Sequence, residues 1–370
     1  MAKTDGVRKF HQITSACPCL IMRWLLLFIV PILIASFLWR DRGGNTKPVT
    51  HFPITTLIDY DAFPWLSVAE PLQFPRDHGA HDDVPLETWQ IQGTLSFPDH
   101  KKIAFQYHIL ALTLQPQTPK RPSAWGTKRV FLTYFTLTDP STPNFQVEHR
   151  EQRQALGLSS TDGDRIIIDD WKLAFRSNQL QLVAGIRGKY LKLALLDESM
   201  IKNASIESAT LRSYQLPRLI AMGRYGDVPV TGSAWMEHSW GKLPLPGGAV
   251  SLQRLQLQMI DGNLLSCLQL KRRDDASSNP VRCTVITATG KQKPLDEARL
   301  IAISHWHSPK GKVYPVSWRL EQPKLNLQIE AVMPDQVTPG PLSWWSGWVK
   351  ASGKSGELGE GFMQATEVAR

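Results

Sequence analysis

WQIQGTLSF, residues 89–97, sets an apolar side chain at nearly every second position. That period of two belongs to an extended strand with one face turned to a core. The same style runs outward from it. IAFQYHILALTL follows at 103–114, and VFLTYFTL at 130–137 stops at Asp139-Pro140. Segments 165–175, 179–184 and 190–196 continue the pattern, and 250–260, 264–270, 281–287, 300–304, 316–320 and 325–332 repeat it. No body segment holds a helical period for more than three turns. Many evenly spaced strands broken by Gly, Pro and Asn point to barrels or sandwiches. ASGKSGELGEG at 351–361 reads as a Gly-rich turn before a last strand, because no strand–loop–helix context supports a phosphate loop. The two halves suit two β-barrels divided near residues 215–230: one over 86–222 and one over 223–370.

The chain has 370 residues, 42% hydrophobic and 20% charged, the composition of a globular protein rather than a disordered one. Its net charge is +9. The cations are dispersed, however, and the one short basic run of the body, Lys271-Arg272-Arg273, is followed at once by Asp274-Asp275. No nucleic-acid-binding motif is present, so no nucleic-acid partner is expected.

Residues 24–39 read WLLLFIVPILIASFLW, sixteen residues without a charge. As a helix they extend roughly 24 Å, somewhat short of the ~30 Å hydrocarbon core. Arg23 and Arg40 can snorkel, and Trp24 and Trp39 suit the two interfaces. Lys3, Arg8, Lys9 and Arg23 precede the run against Asp5 alone. This bias places residues 1–23 in the cytoplasm and the body outside it. No A-x-A arrangement follows, which favours a retained signal anchor over a cleaved peptide. Met22-Arg23 also reads as a start. Residues 40–85, rich in Gly and Pro, form a linker and a lead-in segment. The expected location is therefore an inner membrane, crossed once, with the body in the periplasm.

Five collinear motifs resemble one family. FPRDHGAH at 74–81, followed by Glu87-Thr88-Trp89, resembles FPxDHGxHP…EWWYxxG. REQRQALGL at 150–158 fits R-x-x-R-x-x-G-L. VTGSAWMEHSWG at 230–241 is similar to VxGxAWMDHEWG. HWHSPKGKVYPVSWRLEQP at 305–323 and WWSGWVKASG at 344–353 look like WxSPxTGxxYPxxWxLxxP and YWEGAVxVxG. These are the motifs of the lipocalin-like family of carotenoid 1,2-hydratases and "predicted secreted hydrolases". The resemblance implies an all-β chain with two tandem lipocalin-like β-barrels after an N-terminal membrane-spanning helix. It also implies an extracytoplasmic body and an association with ABC exporter components.

Hydrating an isolated double bond requires an acid strong enough to protonate carbon, and aromatic faces to stabilise the cation. The resemblance implies His238 as that acid, with Trp240 beside it and Glu237 for the family's Asp. The family's further Asp corresponds to Gln253, and Arg254 replaces a Trp. Ser346 and Gln364 stand for two glutamates, and Thr88 and Gln90 for the Trp and Tyr of EWWY, while Glu87 keeps its acid. These losses favour a non-catalytic protein that binds an apolar molecule or assists an ABC-type export system, over a hydratase- or hydrolase-like enzyme acting on a polyene or lipid with His238 as acid; Trp89, Trp235, Tyr214, Arg218 and Trp345 are the candidate ligand contacts. The structural alternative for His238 is a buried ring tied to backbone carbonyls. Asp77, His78 and His81 have the ligand types of zinc, and His305 and His307 could be imagined with them. In the family, however, that motif fixes the loop to the barrel, so no metal and no cofactor are assigned. No G-x-S-x-G elbow exists.

Cys267 and Cys283 fall on consecutive strands whose midpoint, residue 275, lies in a polar loop. A hairpin folded there sets them opposite each other on the oxidising side, where a disulfide can form.

Overall fold

The structure is a computed structural model. It describes residues 58–64, 71–117, 126–142, 145–176, 178–197, 203–207, 211–242, 250–272, 281–339 and 344–365. The apolar run at 24–39 lies outside them. Among the described residues, no helix is long and apolar enough to cross a membrane.

Two antiparallel, barrel-like sheets make up the fold, as the alternation predicts. The first holds β1 (Leu86–Ser96), β2 (Lys102–Thr113), β3 (Arg129–Thr138), β4 (Gln146–Arg153), β5 (Ser159–Asp162), β6 (Arg165–Ile168), β7 (Trp171–Arg176), β8 (Gln179–Ile186), β9 (Lys189–Asp197), β10 (Asn203–Glu207), β11 (Leu211–Tyr225) and β12 (Val228–Gly241). The second holds β13 (Val250–Met259), β14 (Leu264–Arg272), β15 (Arg282–Ile286), β16 (Gln292–Pro294), β17 (Arg299–His307), β18 (Val313–Gln322), β19 (Leu325–Ala331), β20 (Trp345–Gly353) and β21 (Gly356–Ala365).

The division expected at 222/223 is corrected: it would cut β11. The chain leaves the first sheet only after Gly241, because β12 returns to pair with β1, Trp89 opposite His238. Alternation alone did not single out β11 and β12, since Pro217 sits at a register shift between Leu216 and Leu219 and glycines interrupt both strands. Those glycines are required by pairing. A side chain on Gly223 would meet the Lys192 carbonyl, and one on Gly232 the Thr94 carbonyl.

Inward-facing Trp89, Ile91, Phe105, Tyr107, Phe135, Trp171 and Leu193 fill the first barrel. Leu255, Leu257, Trp318, Leu327, Trp345 and Met363 fill the second. Cys267 and Cys283 pair on β14 and β15 and form the expected disulfide, with Cα atoms 4.0 Å apart.

The sheets meet through the opposite faces of β1, β2, β12, β13, β20 and β21, where a buried polar network lies between small apolar clusters. Glu237 accepts from Gln215 (3.0 Å), Gln256 (3.1 Å) and Arg254 (2.9 Å), and Gln256 also bonds Gln92. Ser346 exchanges hydrogen bonds with Gln106. A buried amide left without a partner would cost a few kcal/mol, so this network sets the register between the sheets.

Candidate functional site

Because side chains alternate along a strand, Trp89 and Glu87 on β1 and His238 and Trp240 on β12 share the inner face of the first barrel. They cluster at one end of it. The lead-in residues 72–81, with a short 3-10 turn at Arg76–His78, fold over that end. His238 is fully buried. Its Nδ1 lies 3.1 Å from the Asp77 carbonyl and its Nε2 lies 2.8 Å from Glu87 Oε1. The ring stacks on Trp89 at 4.6 Å, with Trp240 at 4.8 Å and Tyr214 edge-on at 5.4 Å.

Glu87, also fully buried, is the hub. It accepts from the His81 amide, from His81 Nδ1 at 2.7 Å, from His238 and from the buried Arg129 guanidinium. Burial by itself pushes the Glu87 carboxyl up. The Arg129 charge and the bonds from His238 and His81 outweigh it and hold the carboxyl well below its usual range. Burial pushes the His238 imidazole down, against the pull of Glu87. Nδ1–H donates to the Asp77 carbonyl, so the 2.8 Å contact on Nε2 needs one more proton, carried by the ring or by the carboxylate. The two groups titrate as a unit. Burial, then the Glu87 and Asp77 charges, raise Tyr214 well above its ordinary value, and its hydroxyl bonds His78 Nδ1 at 2.7 Å. His81 lies flat on Trp240 at 4.2 Å and its side chain keeps 18% exposure.

His238 and Trp240 from the candidate catalytic set and Trp89 and Tyr214 from the candidate ligand contacts lie in one cluster. The other candidates do not. Glu237 points to the opposite face of β12, into the polar network between the sheets. Trp235 shares that face and packs against Leu264 and Ile286. Arg218 reaches the carbonyls of Gly262 and Thr287. Trp345 lies in the second core, its indole N–H on the Pro334 carbonyl. The replacement of an acid by Gln253 does not leave His238 without one. Gln253 shares a face of β13 with Leu255 and Leu257 in the second barrel, whereas the acid beside His238 is Glu87. Its position just before Trp89, with Arg129 at the start of the next-but-one strand, was the available signal.

His81, Glu87 and His238 bring ligand-type atoms within 4.8 Å of one another. Those atoms are consumed by their mutual hydrogen bonds, and Arg129 on the other carboxylate oxygen would repel a cation. The donor set does not fit an ion. His305 and His307 stand exposed on β17, away from this cluster.

A family model described as AttH-like matches residues 66–367. The crystal structure designated AttH from Nitrosomonas europaea is similar over 83% of this chain and 100% of that one, at 23% identity and a TM-score of 0.71. Kievitone hydratase from Nectria haematococca is similar over 83% of this chain and 96% of that one, at 11% identity and a TM-score of 0.61. At these identities the likeness is one of fold. No curated protein matches the chain.

Proposed function

We propose, from the premise that this chain belongs to the AttH-like family, that it is a non-catalytic, membrane-tethered protein. Its lipocalin-like body stands in the periplasm, where it binds an apolar molecule or assists an ABC-type export system. The observation that carries the non-catalytic part is the enclosure of His238. The ring has no exposed surface, and both its nitrogens are engaged, by the Asp77 carbonyl and by Glu87. A general acid must reach the atom it protonates, and this one is instead a latch that fastens residues 72–81 to the barrel. The tether rests on the uncharged run at 24–39 and its flanking cations.

Full-length protein from its own membranes, incubated with an acyclic carotenoid and with a p-nitrophenyl ester, is expected to give no product above buffer. His238→Ala should behave the same. Turnover that His238→Ala abolishes would overturn this reading. A C-terminal reporter active only outside the cytoplasm should be active and membrane-bound. Soluble protein beginning between residues 36 and 50 would refute the tether.

A second reading is a hydratase- or hydrolase-like enzyme acting on a polyene or lipid. The 2.8 Å His238–Glu87 pair among Trp89, Trp240 and Tyr214 favours it. It requires the lead-in segment to lift, and the partly exposed His81 is then the ring nearest solvent. The same turnover assay on His81→Ala decides it.

A further inference from the structure

The outward face of the first sheet is open to solvent across β7, β8, β9 and β11. Residues directly opposite on neighbouring strands share a face, so pairing orders this surface into rows. One row runs Lys172, Val183, Lys192, Arg224. The next runs Ala174, Gln181, Ala194, Met222, and the third Arg176, Gln179, Leu196, Ile220. Successive rows are two residues apart, about 7 Å at strand rise.

Charge is the first feature that sets this face apart. The three rows hold four cations and no carboxylate. Lys172, Arg176, Lys192 and Arg224 form no ion pair among the described residues. Lys192 stands directly opposite Arg224, and like charges so placed repel one another. Asp170 and Asp227 border the first row from strand ends. Asp170 is already engaged by the Tyr190 hydroxyl and by Arg150 at 3.6 Å, and Asp227 meets Arg224 through its backbone carbonyl. An anion from outside the chain would relieve the repulsion.

The second feature is the apolar surface between the cations. Met222 is 43% exposed and Ile220 38%, with Ala194 and Leu196 half-buried beside them. Ser233, opposite Ile220 on β12, bonds Gln258 at 2.6 Å. Two residues beyond Gln258, at the β13–β14 turn, Ile260 is 73% exposed. Cations fringing exposed apolar side chains suit a headgroup layer: the charged ends meet phosphates while the apolar tips go deeper.

We propose that this face docks on an anionic phospholipid surface, with Lys172, Lys192, Arg224 and Arg176 at the phosphates and Met222 and Ile220 below them. The docking rests on the membrane tether of the proposed function. Residues 40–57 join the apolar run at 24–39 to the first described residue and reach at most about 60 Å. That length lets the body roll onto this side and keeps it at the bilayer. A second copy of the chain does not suit the face, because a two-fold contact would set the same cations against one another.

The test uses full-length protein in vesicles of phosphatidylcholine, alone or with a minority of phosphatidylglycerol. Cys17→Ser and Cys19→Ser leave a nitroxide at Met222→Cys as the single spin label, because Cys267 and Cys283 are bridged. In the anionic vesicles the nitroxide is expected to be open to oxygen and shielded from a nickel chelate. In neutral vesicles it should stay in water. A nitroxide at Ile303→Cys, exposed on β17 of the second sheet, should stay in water in both. Lys192→Gln/Arg224→Gln should lower the docked-to-free ratio about five-fold for each cation. A Met222 label that stays in water in anionic vesicles, or an Ile303 label that inserts equally, would overturn the face. A Met222 label shielded from oxygen and nickel alike would report a protein contact and overturn the lipid. A high-salt wash tests the tether separately: protein that it releases is not anchored, and protein that it leaves on the vesicles keeps the tether standing whatever the label reports.

Discussion

Arg129→Met tests whether the Glu87 hub holds the closed end of the first barrel together. Arg129 is 1% exposed and Glu87 fully buried. The guanidinium reaches Glu87 with one nitrogen and Asp82, in the lead-in chain, with another at 3.1 Å. Methionine keeps much of the volume and removes the charge. Removing one partner of a buried ion pair strands the other, a loss of roughly 3–5 kcal/mol. The Asp82 contact contributes little of this, because that carboxylate is 65% exposed and screened by water. Urea unfolding followed by tryptophan fluorescence and far-UV circular dichroism should show the loss, provided the two transitions coincide. The double variant Glu87→Gln/Arg129→Met should lose clearly less than the sum of the single losses, because neither partner is left charged and alone. The acid limb supplies a second readout. The folded-state value of Glu87 is depressed, so its contribution is complete above the unfolded value near ~4.3 and is lost as pH falls below it. In Arg129→Met the largest of the opposing charges is gone, so that limb should flatten. A loss under ~1 kcal/mol, or strict additivity in the double variant, would refute the reasoning.

Burial, then the Arg254 charge, push His108 down to about 3. The unfolded chain therefore takes up a proton that the folded chain refuses, and stability should fall from pH 6.5 downward by up to ~1.4 kcal/mol per pH unit. His108→Leu should remove that slope between pH 6 and pH 4, and an unchanged slope in urea titrations would sink the assignment. The disulfide joins cysteines 16 residues apart, so Cys267→Ser/Cys283→Ser should lower stability by about 3 kcal/mol in the chain-entropy picture. Maleimide labelling of denatured, unreduced wild-type protein should leave both cysteines unmodified, and labelling of either would exclude the bridge.

The amino-acid sequence by itself determined many of the strands, though not β11 and β12, and with them the all-β class, the family and the Cys267–Cys283 hairpin. Each of these follows from residues close along the chain: a period of two, a turn, a motif or a midpoint. Only the tertiary structure decided which sheet owns β12, and most of the site follows from that. Once β12 lies against β1 with Trp89 opposite His238, alternation turns His238 and Trp240 inward and Glu237 outward, so residues of one short motif serve two different surfaces. The same pairing supplies the acid for His238 from Glu87, 151 positions earlier, while Gln253, the position that the sequence resemblance implied for an acid, belongs to the other barrel. A local pattern specifies that a strand has two faces. Which face meets a core, a carboxylate or a neighbouring sheet depends on contacts between residues far apart in the chain, and only the folded chain brings those together.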